Sequence, residues 1–174
     1  MRWIVEATLA TVVVGAICVA PAGAATIETY NYDARGRLKI VCHAPEGAAN
    51  RTTYSLDNAD NRTNATTQNY FFGLAAGSGI SSADGRFYLT MQTDNNFVLW
   101  GPSGPLWATG TNGSGANAAY FQQDGNLVVY SSSGAIWASG TNSYCANLVV
   151  QNDGNVVMYS ATGAVVWQTY TGGH

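Results

Sequence analysis

Three stretches of this chain are close copies of one another: MQTDNNFVLWGPSGPLWATGT (91–111), FQQDGNLVVYSSSGAIWASGT (121–141) and VQNDGNVVMYSATGAVVWQTYT (150–171). Self-similarity at a fixed spacing constrains the fold more than composition does, because each copy is one supersecondary unit that buries its apolar face only against its siblings. Valine, tyrosine, tryptophan and paired turn residues make each unit a small sheet. Three units fall short of the roughly four to eight blades of a propeller. A closed three-sided arrangement fits instead, with the equivalent Trp107, Trp137 and Trp167 filling its axis as core.

Charge is sparse. Only 10% of the 174 residues are charged, against 47% hydrophobic, and glycine reaches 20. Such a mix disfavours long helices and disorder alike. A net charge of −3 with only seven Lys and Arg excludes an electrostatic nucleic-acid binder. Beyond Arg86 there is no Lys or Arg, and the only acids are Asp94, Asp124 and Asp153, one per copy. Three evenly placed charges of one sign do little for solubility and call for a functional explanation.

Around each Asp the sequence keeps a spacing of two: Gln92, Asp94, Asn96, Val98, Trp100; Gln122, Asp124, Asn126, Val128, Tyr130; Gln151, Asp153, Asn155, Val157, Tyr159. In an extended segment this spacing lines the five side chains along one face, while Leu127, Val129, Val156 and Met158 face the core. Asp124-Gly125 and Asp153-Gly154 are also hairpin-turn dipeptides. A turn accounts for Asp and Gly but not for the recurring Gln, Asn, Val and Tyr, and across such a turn Gln on one strand still shares a face with the others on the next. Together they form an uncharged-to-acidic array of donors and acceptors around one small apolar residue. That suits a sugar ring, whose hydroxyls need bridging and whose C–H patch needs cover.

The motif Q-x-D-x-N-x-V-x-Y, repeated within residues 70–174, resembles that of the bulb-type (monocot mannose-binding) lectin family. The resemblance implies an all-β fold, β-prism II, with three four-stranded sheets in pseudo-threefold symmetry and one mannose pocket per sheet. It implies that Asp and Asn bind the axial 2-hydroxyl, Gln the 3-hydroxyl and Tyr the 4-hydroxyl, while Val covers the C–H face. No metal or other cofactor is implied. Copies two and three match in full; copy one carries Trp100 in place of Tyr, which marks it as the weakest pocket. The family's frequent disulfide is missing, since Asn95 stands inside the first motif and no Cys lies between there and Gln122. Members of the family often pair through exchanged C-terminal strands, for which Val165 to Tyr170 would serve in a homodimer.

Ahead of the repeats, residues 26–69 hold two shorter ones. YNYDARGRL (30–38) and YSLDNADNRT (54–63) align Tyr30 with Tyr54, Tyr32 with Leu56, Asp33 with Asp57, Gly36 with Asp60 and Arg37 with Asn61. Alternating tyrosines followed by Asp and a turn spell a hairpin. These copies resemble the YD (Rhs) repeat, of which many units coil into a closed shell in that family; two units enclose nothing. Residues 1–25 read as a secretory signal, with an uncleaved anchor as the alternative: Arg2, an apolar run from Ala7 to Ala20, Pro21, then Ala22-Gly23-Ala24 as a cleavage site, giving a mature chain that starts near Ala25 or Thr26 and has no membrane span.

Loss of the signal removes Cys18 and leaves Cys42 and Cys145, which either form one disulfide in an oxidising compartment or remain two thiols. The Cys42-His43 neighbours are no dyad, because adjacent residues of an extended chain point to opposite faces. No Cys/His spacing matches a metal site, and the acids occur singly rather than as calcium ligands. Outside the signal the only Glu residues are Glu28 and Glu46, so no carboxylate pair for glycoside hydrolysis is visible and no enzyme is expected. The reading is a secreted, calcium-independent lectin for mannose or mannose-containing glycans. The alternative is a structural or targeting fragment of a YD-repeat, toxin-associated protein in which sugar binding is weak or lost.

Overall fold

A computed structural model describes residues 27–44, 50–57, 59, 61–69 and 72–174. The expected signal segment and its cleavage site lie outside the described residues. Fifteen strands and no helix make up the described chain.

The first sheet is a meander of β1 (Ile27–Tyr32), β2 (Leu38–Ala44), β3 (Asn50–Leu56) and β4 (Arg62–Asn69), in that order. The β1–β2 and β3–β4 hairpins are the two short repeats, and their turns are built alike. Asp33 Oδ1 accepts from the amides of Arg35 and Arg37 at 2.9 and 3.1 Å. Asp57 Oδ1 accepts from those of Ala59 and Asn61, both at 2.9 Å. An Asp side chain here replaces the missing ladder partner of the turn. Arg37 Nε donates to Asp33 Oδ2 at 2.6 Å, and this contact, foremost, lowers the Asp33 carboxyl to about 2. Arg37 also donates to the Asp57 carbonyl at 3.3 Å, tying the two turns together.

The remaining strands form a three-sided prism. Its first sheet runs β6 (Gly79–Ser81), β7 (Tyr88–Met91), β8 (Phe97–Gly101), β9 (Gly104–Ala108). The second runs β5 (Phe72–Ala75), β10 (Ala116–Phe121), β11 (Leu127–Ser131), β12 (Gly134–Ala138). The third has three strands among the described residues: β13 (Asn147–Val150), β14 (Val156–Tyr159), β15 (Val165–Gln168). Among the described residues two of the three sides have four strands. The strand that precedes the first copy, β5, pairs with β10 of the second from Ala118↔Ala75 to Phe121↔Phe72, and no described strand lies beyond β13. Val165–Gln168 pairs with β14 of the same chain at the edge of the third sheet.

Alternation along each strand sends Leu89, Met91, Phe97, Leu99, Phe121, Leu127, Val129, Val156 and Met158 into one fully buried core shared by the three sheets. Burying each such side chain is worth about 1.5–3 kcal/mol. Trp107, Trp137 and Trp167 stand opposite Leu99, Val129 and Met158 on the outer strands and meet one another edge to face, with ring centroids 5.5, 5.7 and 6.2 Å apart. They fill the axis, as expected, while staying half-buried.

Cys42 of β2 and Cys145, in the link between β12 and β13, are bonded. Their Cα atoms lie 6.0 Å apart, both side chains are buried, and Ala161 packs beside them. Of the two states the sequence left open, the disulfide is the one realised, and it fastens the meander to the prism. It also leaves no thiol beside His43.

Candidate functional site

Each five-residue motif folds around a turn. Gly125 N donates to the Gln122 carbonyl at 2.9 Å, and Gln122 N to the Asn126 carbonyl at 2.8 Å, which makes Gln123, Asp124 and Gly125 a three-residue hairpin loop. Gly125 and Gly154 take the left-handed conformation that closes this loop, at φ 78° and 88°. Asn95 does the same at φ 76°, with its side-chain amide donating to the Ala116 carbonyl at 2.7 Å. A single extended segment is therefore not the right picture of the motif. Gln ends one strand, Asp sits on the loop, and Asn, Val and the aromatic residue begin the next. The face is still shared, because the loop returns the chain in register.

Asp and Asn are tied into the scaffold in all three sheets. Asp94, Asp124 and Asp153 each accept the amide of the Asn two residues on, at 3.0, 2.9 and 2.9 Å. Each Asn Oδ1 in turn accepts a hydroxyl from the strand beyond: Thr109 to Asn96 at 3.2 Å, Ser139 to Asn126 at 2.9 Å, Thr169 to Asn155 at 2.9 Å. Those hydroxyls pair with Thr111, Thr141 and Thr171 at 2.8, 2.8 and 2.7 Å. The recurring Ser/Thr-x-Thr was visible in the sequence, yet its task of orienting the Asn amide was not. With its oxygen engaged, each Asn keeps its amide nitrogen as the remaining donor.

Gln and Tyr meet in the second and third sheets. Gln122 Nε2 donates to Tyr130 Oη at 2.9 Å, and Gln151 Nε2 to Tyr159 Oη at 2.7 Å. No such bond joins Gln92 and Trp100, whose indole has no acceptor. Val98, Val128 and Val157 are buried at 3, 3 and 2% exposure, so each offers only a sliver of surface. Tyr120, not anticipated from the repeats, stands opposite Val128 and packs edge to face on Tyr130 with centroids 5.8 Å apart. Its ring lies against Gly73, where a Cβ would come within 2.6 Å.

The third site carries further restraints. Arg86 donates to the carbonyls of Asn152 and His174, and Asp84 N donates to Asn152 Oδ1 at 3.1 Å, which clamps the loop around Asp153. Hydrogen bonds from Ser82 and then Arg86 hold the Asp84 carboxyl down at about 2. Asn155 Nδ2 donates to Gln168 Oε1 at 2.8 Å. Among the described residues no group of three or more His, Cys, Asp or Glu is placed to hold a metal, and no helix is long and apolar enough to cross a membrane.

No family model and no curated protein matches the chain. Among solved structures it is similar to a Marasmius oreades lectin, with 36% identity, covering 57% of this chain and 85% of that one at a TM-score of 0.53. It is also similar to monomeric monocot mannose-binding lectins from Gastrodia elata, with 40% identity, covering 58% of this chain and 93% of that one, again at 0.53. With three sheets meeting on a tryptophan axis and this identity over nearly the whole length of the Gastrodia lectin, the chain belongs to the bulb-type lectin family.

Proposed function

We propose that the chain is a secreted carbohydrate-binding protein that takes mannose or mannose-containing glycans on its second and third sheets. The observation that carries this reading is the pairing of Gln122 with Tyr130 and of Gln151 with Tyr159, each on a face shared with an Asp–Asn turn. The Asp carboxylate accepts from a sugar hydroxyl, the Asn amide donates to it, and the Gln–Tyr pair supplies both functions further round the ring. The Val between them meets the C–H patch. The two similar lectins named above, one of them described as mannose-binding, support the same reading. The buried Cys42–Cys145 disulfide supports export to an oxidising compartment, and with it cleavage near Ala25.

A shallow pocket makes a handful of hydrogen bonds worth about 0.5–1.5 kcal/mol each, so after association costs a single sugar binds at roughly millimolar Kd. Branched glycans spanning two pockets gain about 10²–10⁴. The test is a titration of immobilised mannan with the wild type, Asp124→Ala, Asp153→Ala and Asp94→Ala. The first two changes are expected to remove much of the binding and the third little, with EDTA without effect. Wild-type protein that fails to bind mannan, or EDTA-sensitive binding, would overturn the reading.

A further inference from the structure

The first sheet differs from the other two along one row. In the second sheet Ala118, Tyr130 and Ala135 stand side by side across three strands; in the third, Asn147, Tyr159 and Val165 do. In the first sheet the same row reads Tyr88, Trp100, Pro105, two aromatic rings and the apolar ring of a proline. Tyr88 and Trp100 are 39 and 37% exposed, and Pro105 is exposed as well. The Tyr88 ring lies over bare Gly79, where a Cβ would stand 2.6 Å from Tyr88 Cζ, so the phenol is held down on its neighbour strand rather than free to swing.

Polar groups border this row. Gln92, whose counterparts are spent on tyrosine hydroxyls, makes no side-chain hydrogen bond among the described residues. Asp94 is exposed and keeps the same turn-capping bond as its counterparts. Two aromatic rings side by side with an amide and a carboxylate at their margin call for a ligand that is flat and apolar on its face and hydroxylated at its edge. Aromatic faces are negative and attract weakly positive C–H groups. A pyranose with all-equatorial hydroxyls presents only axial C–H on both faces and points its hydroxyls outward. Mannose has an axial 2-hydroxyl that interrupts one of those faces, and Trp100 offers no hydroxyl to pair with Gln92.

We infer that the first sheet is a binding platform for β-linked gluco-configured sugars, stacked on Trp100 and Tyr88 and bridged at the edge by Gln92 and Asp94. The inference rests on reading the prism as carbohydrate-binding, but its ligand, sheet and variants differ from those of the mannose sites.

The experiment follows the indole N–H signals of the full chain by NMR while cellotetraose is added. Cellotetraose is expected to shift the Trp100 signal with millimolar Kd, unchanged in an Asp124→Ala/Asp153→Ala double variant and not displaced by saturating methyl α-mannoside. Followed through the backbone amide signals of Gln92 and Val98, because the indole is gone, Trp100→Ala should weaken binding at least tenfold. Trp100→Tyr, which keeps a ring and a folded sheet, should weaken it several-fold and add mannose binding at this sheet. An unmoved Trp100 signal, displacement by the mannoside, or full cellotetraose affinity in the Trp100 variants would overturn the inference. Loss of mannan binding without any of these outcomes would count against the mannose reading alone.

Discussion

Asn155 Nδ2 donates to Gln168 Oε1 at 2.8 Å, a contact for which the other sheets have no partner, because Ala108 and Ala138 stand where Gln168 does. Asn155 is buried at 8% exposure, whereas Asn96 and Asn126 are half-buried. Part of the donor capacity expected to meet a sugar is thus already used in the third sheet. The second and third motifs, identical in residue type, are not identical in hydrogen bonding.

Replacing Gln168 by Ala is therefore expected to strengthen the third pocket. One recovered sugar hydrogen bond is worth about 1 kcal/mol, or several-fold in affinity. Calorimetry with methyl α-mannoside in an Asp124→Ala background isolates that pocket. Unchanged or weaker binding in Asp124→Ala/Gln168→Ala would show that the Asn155–Gln168 bond orients the amide rather than competing for it.

Gly125 and Gly113 both hold positive φ, 78° and 71°, but a Cβ on Gly125 would stand 2.1 Å from the Ser143 carbonyl oxygen, while one on Gly113 meets nothing within 4 Å. Gly113→Ala should cost only the left-handed penalty, about 1–2 kcal/mol. Gly125→Ala forces backbone apart as well and should cost on the order of 3 kcal/mol or more. Urea unfolding midpoints at constant slope measure both. Equal losses would mean that the link through Ser143 yields freely.

The Cys42–Cys145 bond closes a separation of 103 residues, for which chain entropy gives about 4.7 kcal/mol. Reduction is expected to lower the melting temperature and to expose the β1–β4 meander to limited proteolysis ahead of the prism, whose core contains neither cysteine. Proteolysis that cuts both parts at the same rate would show that the prism depends on the meander.

Asp84 carries its depressed carboxyl pKa through Ser82 and Arg86. A group whose pKa falls on folding adds stability above its unfolded value, near 3.8, and loses it as pH drops toward about 2. Wild type should thus be more stable than Asp84→Asn from neutral pH down to about 4, with the gap closing between there and about 2. Thermal melts of the two proteins across that range check the window. A gap that stays constant down to pH 2 would assign the effect to geometry rather than charge.

The repeats alone determined the three-sided all-β plan, the tryptophan axis and the grouping of Gln, Asp, Asn, Val and Tyr. These follow from period and from the alternation of side chains along a strand, which are local properties of the chain. Two local rules competed at one place: a spacing of two ran straight through Asp124-Gly125, and the turn the sequence also offered prevailed because Gly125 takes its left-handed conformation at little steric cost. Tertiary structure alone decided that Cys42 reaches Cys145, that β5 joins the second sheet, that Arg86 clamps the loop at Asn152 and that Gln168 engages Asn155. Each of these depends on which distant segments pack together, and a contact made in space leaves no period in the sequence.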